Sequence, residues 1–592
     1  MKDTPRVGAA KPQQPLETGT ELAPPTHNAT TTPDDLQTVE GGSVHATKVP
    51  KTWRFWAIIA SLGVAGLASA IEGTIITSAL PTITADLGGG DLYVWVPNAY
   101  LLASVAVLPL FGQASDIFGR RGLLLSAVAL FTLGKSVSTG LSGGANSMRM
   151  LIAARTVQGL GGGGINLLME TVVTDIVPLR ERGKYMSLVM MGSTLGASIG
   201  PFVGGAITSS TTWRWVFYIN VPVGGLTFVS LWACLRVNHQ REQSWKKSLA
   251  RVDFAGNAIF VAAICAVLIA LSWGGTLFEW SAYNIIVPLV LGFVGLILFT
   301  AFEWTPKLCR EPSMPRVLVS NRTSAVALAL TFIHAVVTYW AYYFFPIYLQ
   351  GVKQFSPLIS GVGTLPIFGG SLIFALVGGA ILSKTGRYKP IHLAGFVPLT
   401  IAFGLFSLLD FKSSTAAWVC FELIWAIGSG LLVAILLPAM QAPLDESLVA
   451  TATGLWSFMR YFGCIWGVTI PSAIFNNECR RLAFRVSDAA VAGKLTGGQA
   501  YQYATRAFLR GITDESVRDE VVEVFSRALR TVWLIGIAFA GLGFLLTFLE
   551  KEVSLRDKLN TDFGMETEKE QPGDAKVVPS DGEITRTGSQ ER

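Results

Sequence analysis

Six ionisable residues lie inside long apolar stretches of this sequence. A charged side chain within a membrane is costly, so residues of this kind are expected to serve in binding protons, ions or charged substrates. Histidine titrates near neutral pH, and carboxyl groups gain and lose protons, so the set favours proton and ion binding. These candidates for a proton or substrate pathway are Glu72, Arg155, Glu170, His334, Glu422 and Arg460.

Glu72 and Arg155 are the strongest candidates of the set. Glu72 is flanked by Gly73, which leaves room for a neighbour or ligand, and by Thr74, which offers a hydroxyl group. A carboxylate facing lipid at this depth would be expensive, so Glu72 is predicted to face the protein interior. We expect it to bind a proton or a cationic substrate, with Arg155 as a potential partner. Arg155 could instead only tie helix backbones together.

The other four candidates each have an alternative interpretation. Glu170 lies with Asp175 near the end of its apolar stretch, where a solvated position is equally compatible with the sequence. His334 fits either a cavity wall or a buried, hydrogen-bonded histidine. Glu422 and Arg460 could pair with each other, or each could bond to the backbone.

The composition is that of a protein that crosses the membrane many times. Of 592 residues, 51% are hydrophobic and only 15% are charged, whereas soluble proteins are about a quarter charged. The net charge of +6 is not evidence for nucleic-acid binding, since the basic residues cluster in short loops. The six cysteines are scattered without a C-x-x-C spacing, so we expect packing residues with no metal site and no disulfide framework.

A span needs about 20 apolar residues, and the sequence contains about fourteen such stretches. They begin near Phe55, Tyr93, Gly122, Met150, Lys184, Arg214, Phe254, Tyr283, Thr323, Ser360, Pro390, Thr415, Thr451 and Thr531. We predict an all-α membrane protein of two six-helix bundles plus a two-helix insert. The predicted segments are a disordered tail 1–52, a bundle 53–236, a linker and insert 237–321, a second bundle 322–550 containing an outer loop 476–530, and a disordered tail 551–592.

Lysine and arginine fall mainly in alternate loops, which predicts the orientation. The side that carries Arg120, Arg180 and Lys384 is called the inner side here, and it is predicted to be cytoplasmic together with both tails. The loop 476–530 then lies on the outer side. Within it, Thr513 could cap a helix whose apolar stripe includes Val517 and Phe525, lying on the outer surface. A solvated hairpin is the alternative.

Residues 112–121, between the second and third spans, read G-x-x-x-D-x-x-G-R-R and are called the inner-gate motif here. Its defining residues are Gly112, Asp116, Gly119, Arg120 and Arg121. The glycines let helix ends approach closely. Asp116 can accept from the positive N-terminus of a helix across the molecule, predicted at residues 450–454 when the inner side is closed. A weaker copy at residues 379–389 indicates an internal repeat, as in secondary transporters.

The inner-gate motif resembles the loop between the second and third helices of the major facilitator superfamily. Arg155 and Gln158 match its R-x-x-Q-G signature, which adds Gln158 to the candidates for the proton or substrate pathway. The stretch from Glu72 to Pro81 resembles that of fourteen-span drug:H+ antiporters, which usually have Asp at the Glu72 position. The antiporter signature G-x-x-x-G-P-x-x-G-G is matched by Gly196, Gly200, Pro201, Gly204 and Gly205. We expect this fifth span to be kinked at its proline and to pack on the glycine-rich tenth span, sealing the outer cavity.

The resemblance, closest to fungal members, implies proton-coupled efflux of amphipathic small molecules such as drugs, xenobiotics or a secondary metabolite or toxin. It implies a carrier that is not an enzyme, uses the proton gradient without a cofactor, binds no nucleic acid and functions as a monomer. The plasma membrane is the expected location, with the vacuolar membrane second. The alternatives are a vacuolar transporter of basic amino acids and, outside this class, a membrane receptor or membrane-embedded enzyme.

Overall fold

The computed structural model describes residues 52–87, 95–139, 147–235, 251–274, 278–309, 312–496 and 500–556. The predicted tail 1–52, apart from Thr52, lies outside the described residues, and so does the tail beyond Arg556. Fourteen helical spans follow one another in the described chain, which confirms the predicted number.

The first bundle contains span 1 (Trp53–Leu87), span 2 (Trp95–Ala106 and Leu108–Phe118), span 3 (Arg120–Thr139), span 4 (Met148–Ile176), span 5 (Leu179–Ser210) and span 6 (Trp215–Tyr218 and Asn220–Cys234). The insert is span 7 (Phe254–Trp273) and span 8 (Tyr283–Glu303). The second bundle contains span 9 (Arg322–Ile347), span 10 (Pro357–Gly363 and Leu365–Thr385), span 11 (Lys389–Phe406), span 12 (Thr415–Val433, continued by Leu436–Gln441), span 13 (Val449–Leu482) and span 14 (Glu515–Leu549).

Length and hydropathy support a membrane location for most of these helices. Among the described residues, eleven helices are long and apolar enough to cross a membrane, and span 2, bent by 44° at its break, makes a twelfth. Span 3 and span 4 complete the fourteen. Span 4 is long enough but carries Arg149, Arg155, Glu170 and Asp175, which lower its hydropathy. It is therefore the helix with the greatest need for partners inside the protein.

Packing follows the predicted two bundles. Span 1 packs along span 5, and span 4 packs between span 2 and span 3; in the second bundle, span 12 packs against spans 10 and 11, and span 9 against span 13. The helices approach closely where side chains are small: a Cβ at Gly163 of span 4 would lie 2.3 Å from the Ser104 carbonyl oxygen of span 2. Spans 7 and 8 pack on each other, and Phe260 reaches Phe458 of span 13 with 5.1 Å between ring centroids.

The outer loop differs from both predicted alternatives. Asp514, rather than Thr513, caps a helix that runs unbroken from Glu515 through span 14. Its apolar stripe is buried against the outer extension of span 13, with 5.8 Å between the rings of Phe525 and Phe475. The prediction of a separate surface helix or solvated hairpin is therefore wrong. The stripe is covered by protein, so the segment is an extension of span 14.

The first residues of the second predicted tail differ from the prediction of a disordered segment. Residues 551–556 are described and lie against the inner side of the second bundle. The Tyr388 hydroxyl donates to the Lys551 carbonyl oxygen at 2.8 Å, and the Arg556 guanidinium donates to the Leu444 carbonyl oxygen at 2.6 Å. These bonds explain why the chain stays ordered past span 14.

Candidate functional site

The inner-gate motif forms a buried clamp. Gly119 has φ +85°, a conformation that favours glycine, and it turns the chain from span 2 into span 3. The Arg120 guanidinium donates to Asp175 at 2.7 Å and to Asp116 at 2.9 Å. Arg121 donates to a backbone carbonyl of span 6 at 2.7 Å. Asp175 is buried, so its alternative as a solvated residue is wrong: burial of Arg120 beside it requires a counter-charge.

The same motif reaches across to the second bundle. The Thr451 hydroxyl donates to the Asp116 carboxylate at 2.7 Å, at the first turn of span 13. Next to it, a Cβ at Gly112 would lie 3.6 Å from the Gly454 Cα, an ordinary van der Waals contact. The predicted placement of Asp116 at residues 450–454 is therefore confirmed, and its gating role stays a prediction.

Two further arginines, predicted only as charges that set orientation, join the bundles on the inner side. The Arg180 guanidinium donates to the Ser383 carbonyl oxygen at 2.6 Å. The Arg182 guanidinium is buried and donates to Gln441 at 2.9 Å and to Glu446 at 3.4 Å. Sequence patterns could not find these bonds, because their partners are more than 200 positions away. Together with Asp116, they close the inner side.

We predict that Asp116→Asn weakens this closure. The amide keeps an acceptor for Thr451 but loses the charge that interacts with Arg120 and with the N-terminus of span 13. The lost dipole interaction amounts to about 0.3–1 kcal/mol, and up to about 2 kcal/mol when partly buried. Transport slows, and a cysteine placed at the inner ends of the spans becomes more reactive to thiol reagents. Asp519→Asn, at an exposed position on the outer side, is the control; equal rates and reactivity in both variants would contradict the prediction.

A buried ion pair links the bundles between Glu170 in span 4 and Arg460 in span 13. Glu170 is fully buried, and its second carboxylate oxygen accepts from the Ser457 hydroxyl. The Arg460 guanidinium also lies over the rings of Trp456, at 4.6 Å, and Tyr461, at 5.1 Å. The suggested pairing of Arg460 with Glu422 is therefore wrong, because the guanidinium is directed at span 4. The alternative of a solvated Glu170 is wrong as well.

The remaining candidates of the second bundle stand apart from this pair. His334 is buried and lies 3.2 Å from the Ser429 hydroxyl and 3.3 Å from the Thr338 hydroxyl. Of the two predicted alternatives for His334, the structure shows the buried, hydrogen-bonded histidine. Glu422 is fully buried, and neither carboxylate oxygen has a hydrogen-bond partner among the described residues. An unpartnered carboxyl group in such surroundings is favoured as the neutral acid.

Glu72 and Arg155 form an ion pair inside the first bundle. Both side chains are at most 1% exposed, so Glu72 faces the interior as predicted. The Arg155 guanidinium also donates to the Val96 carbonyl oxygen and to the Gln158 amide oxygen, both at 3.1 Å, and lies 4.5 Å from the Tyr100 ring centroid. Arg155 therefore both neutralises Glu72 and ties helix backbones together.

The antiporter glycines contact a different helix from the one predicted. A Cβ at Gly196 would lie 2.5 Å from a backbone oxygen of span 1, and one at Gly200 would lie 2.0 Å from a span 1 hydroxyl. Span 5 instead meets span 10 at the inner ends, where Gly183 lies against Gly379. The predicted packing of these glycines on span 10 is wrong for this structure, because the bundles meet on the inner side. Gly204 is buried, whereas the burial of Pro201 and Gly205 lies outside what the structure describes.

One group of potential metal ligands was not predicted. The ligand atoms of Asp253, Glu303 and Cys309 lie within 4.8 Å of one another at the inner end of the insert. No local motif could show it, since Asp253 lies 50 positions before Glu303. Both carboxylates have structural bonds: Asp253 accepts from the Gly256 amide at 2.9 Å, and Glu303 from the Met314 amide at 3.1 Å. The group thus anchors the loops around spans 7 and 8.

Two helical bundles with charges buried inside and between them define a multi-spanning membrane protein of the two-bundle class. Residues 62–468 match the sequence profile of the Major Facilitator Superfamily, and the chain belongs to this family.

Curated relatives and solved structures agree with this assignment. The chain is 57% identical over 517 residues to the MFS-type transporter ucsD of an Acremonium species, covering 87% of each chain. It is 49% identical over 513 residues to the MFS efflux transporter aclA of Aspergillus oryzae, covering 87% of this chain and 92% of that one. The proton:xylose symporter XylE superposes with a TM-score of 0.51 at 14% identity, covering 79% of this chain and 98% of that one, which supports the fold alone.

Proposed function

We propose that this protein exports amphipathic small molecules, drugs, xenobiotics or fungal secondary metabolites, in exchange for protons. The name of one relative, the MFS efflux transporter aclA, supports efflux. The observation that carries the mechanism is the buried Glu170–Arg460 ion pair between the bundles, deep in the closed inner half. Opening the inner side requires this pair to separate.

Protonation of Glu170 supplies the trigger for that separation. A proton removes the carboxylate charge, so Arg460 loses the attraction that holds span 13 to span 4. Two of the other inner links, those of Asp116 and Arg180, contribute less because they lie closer to the surface. The bundles then rock to open inward, the proton leaves, substrate enters and the pair re-forms as the inner side closes. A proton taken from outside thereby drives one outward transport step.

The residues near the pair favour this reading over transport of basic amino acids. A cavity for basic substrates would present several unpaired carboxylates, whereas Glu170 is neutralised by Arg460 and Glu72 by Arg155. Of the three candidate glutamates, only Glu422 has no hydrogen-bond partner among the described residues. We further propose that the monomer is the functional unit and that it acts in the plasma membrane.

The test is probe retention in yeast that lacks its own efflux pumps. Cells expressing the wild-type protein should retain less of a fluorescent amphipathic probe, and a protonophore should abolish the difference. Glu170→Gln should reduce gradient-driven efflux at least about tenfold, because glutamine cannot take up the coupling proton and cannot re-form the charged pair, whose loss costs about 3–5 kcal/mol. Glu515→Gln, whose side chain is 83% exposed, is the matched control.

Two results would count against the proposal. If cells expressing the wild-type protein retained every probe as strongly as cells without it, the proposal of efflux would be refuted. Full gradient-driven efflux in Glu170→Gln would refute the coupling role of Glu170 but not the proposal of efflux.

A further inference from the structure

Four tyrosines lie close together in the second bundle. They are Tyr339, Tyr342 and Tyr343 of span 9 and Tyr461 of span 13, and are called the tyrosine cluster here. Tyr343 is 38% exposed although most of span 9 is buried by protein. Its ring stacks on Tyr339 with 6.0 Å between centroids and 23° between planes. Exposure in so enclosed a helix indicates an internal cavity rather than a lipid-facing surface.

Arg460 supplies the positive charge of this cavity. It lies within electrostatic range of Tyr339 and Tyr461, and its side chain is 16% exposed. Glu170, by contrast, has no exposed side-chain surface. Arg460 is thus the partly exposed member of the ion pair between the bundles. Its NH1 group is directed at the Met190 sulfur, 4.0 Å away, which is a weak acceptor.

We infer that this cavity binds amphipathic substrates carrying an acidic group, such as a carboxylate or an acidic enol, on an aromatic or conjugated body. This inference rests on the proposed function and names its substrate class. A guanidinium pairs with planar anions through two parallel hydrogen bonds. Tyrosine rings offer apolar faces to the body of the substrate and hydroxyl groups to its polar edge.

The same geometry explains exchange. With the inner side closed, the Glu170 carboxylate occupies Arg460. With the inner side open, spans 4 and 13 separate, and Arg460 becomes a buried cation without its partner, which favours an anion entering from inside. When the inner side closes again, Glu170 reclaims Arg460 and the acid is released to the outer side. Glu170 and the acidic group thus compete for one guanidinium.

Binding to purified protein in nanodiscs tests the inference without requiring transport. The probes are 1-naphthaleneacetic acid, its methyl ester and 1-(1-naphthyl)ethylamine, measured by calorimetry. Glu170→Gln should bind the acid at least about tenfold more tightly than the wild type, because Arg460 loses its competing carboxylate. Binding of the ester should not change, and the amine should bind more weakly than the acid in both proteins.

Arg460 variants complete the test. Arg460→Gln should lose the preference for acid over ester. Arg460→Lys keeps the charge but not the two parallel hydrogen bonds of the guanidinium, so it should retain part of the preference. If Arg460→Gln fails to fold, the result for Arg460→Lys tests the inference. Arg527→Gln, at an arginine 49% exposed on the outer side, should match the wild type. Equal binding of acid and ester, or a preference that survives in both Arg460 variants, would overturn the inference. If gradient-driven efflux persists in that case, only the substrate class is refuted.

Discussion

Oxidation of a Gly112→Cys/Gly454→Cys double variant should stop transport completely, and reduction should restore it. A Cβ at Gly112 would lie 3.6 Å from the Gly454 Cα, and a Cβ at Gly454 would lie 3.5 Å from the Gly112 Cα. Disulfides form where Cα atoms are about 4.4–6.8 Å apart, so two cysteines here are close enough to be bridged with little movement. The bridge would hold span 2 against span 13 and prevent the inner side from opening.

The expected block is complete because protonation of Glu170 releases an ion pair but does not cleave a disulfide bond. Each single variant should transport at close to the wild-type rate under oxidising and reducing conditions, since a Cβ at either position makes only ordinary contacts. Cross-linking is measured by the shift of a protease-nicked fragment on a gel, and transport by probe efflux from vesicles. Efficient cross-linking with undiminished efflux would show that the inner side need not open at these residues, which would contradict alternating access through this gate.

The location of this gate was predictable from local sequence, because a glycine-rich loop with a carboxylate and two arginines has few structural uses between membrane helices. The sequence accordingly predicts Asp116 at the start of span 13, where the structure shows its hydrogen bond with Thr451. The Glu170–Arg460 pair was not predictable in the same way. Periodicity indicates which helix face is buried, whereas choosing among Glu170, Glu422 and Glu72 as the partner of Arg460 requires the packing of the two bundles.

The prediction for the outer loop was wrong for a different physical reason. Hydropathy locates the part of a helix that lies in lipid, and it predicted the start of span 14 near Thr531 instead of Glu515. The intervening turns carry Arg518, Asp519 and Glu523, so they resemble a loop by hydropathy. They are helical because their apolar stripe packs on the extension of span 13, a tertiary contact that no window of one helix contains.

The Glu72–Arg155 pair should show an asymmetric response to loss of either partner. Arginine cannot lose its charge in a protein, whereas a carboxyl group can take up a proton. Glu72→Gln therefore leaves a buried, uncompensated cation and should destabilise the fold by about 3–5 kcal/mol at every pH. In Arg155→Met, Glu72 becomes neutral by binding a proton, so this variant should be destabilised progressively as pH rises and much less at low pH.

The double variant Glu72→Gln/Arg155→Met removes both charges and should regain most of the lost stability, since replacing a buried ion pair by uncharged groups is often neutral or stabilising by about 1–4 kcal/mol. The stability of all three variants is measured by thermal unfolding in detergent between pH 5 and pH 8. This is about the range over which a buried carboxyl group exchanges its proton. Equal, pH-independent destabilisation by both single variants would contradict the asymmetry. Efflux measured in the stable double variant then assigns the role of Glu72. Loss of proton dependence supports the coupling role expected from its place in span 1. Retained proton dependence makes the pair a structural anchor and leaves Glu170 as the carboxyl group that couples protons to the gate.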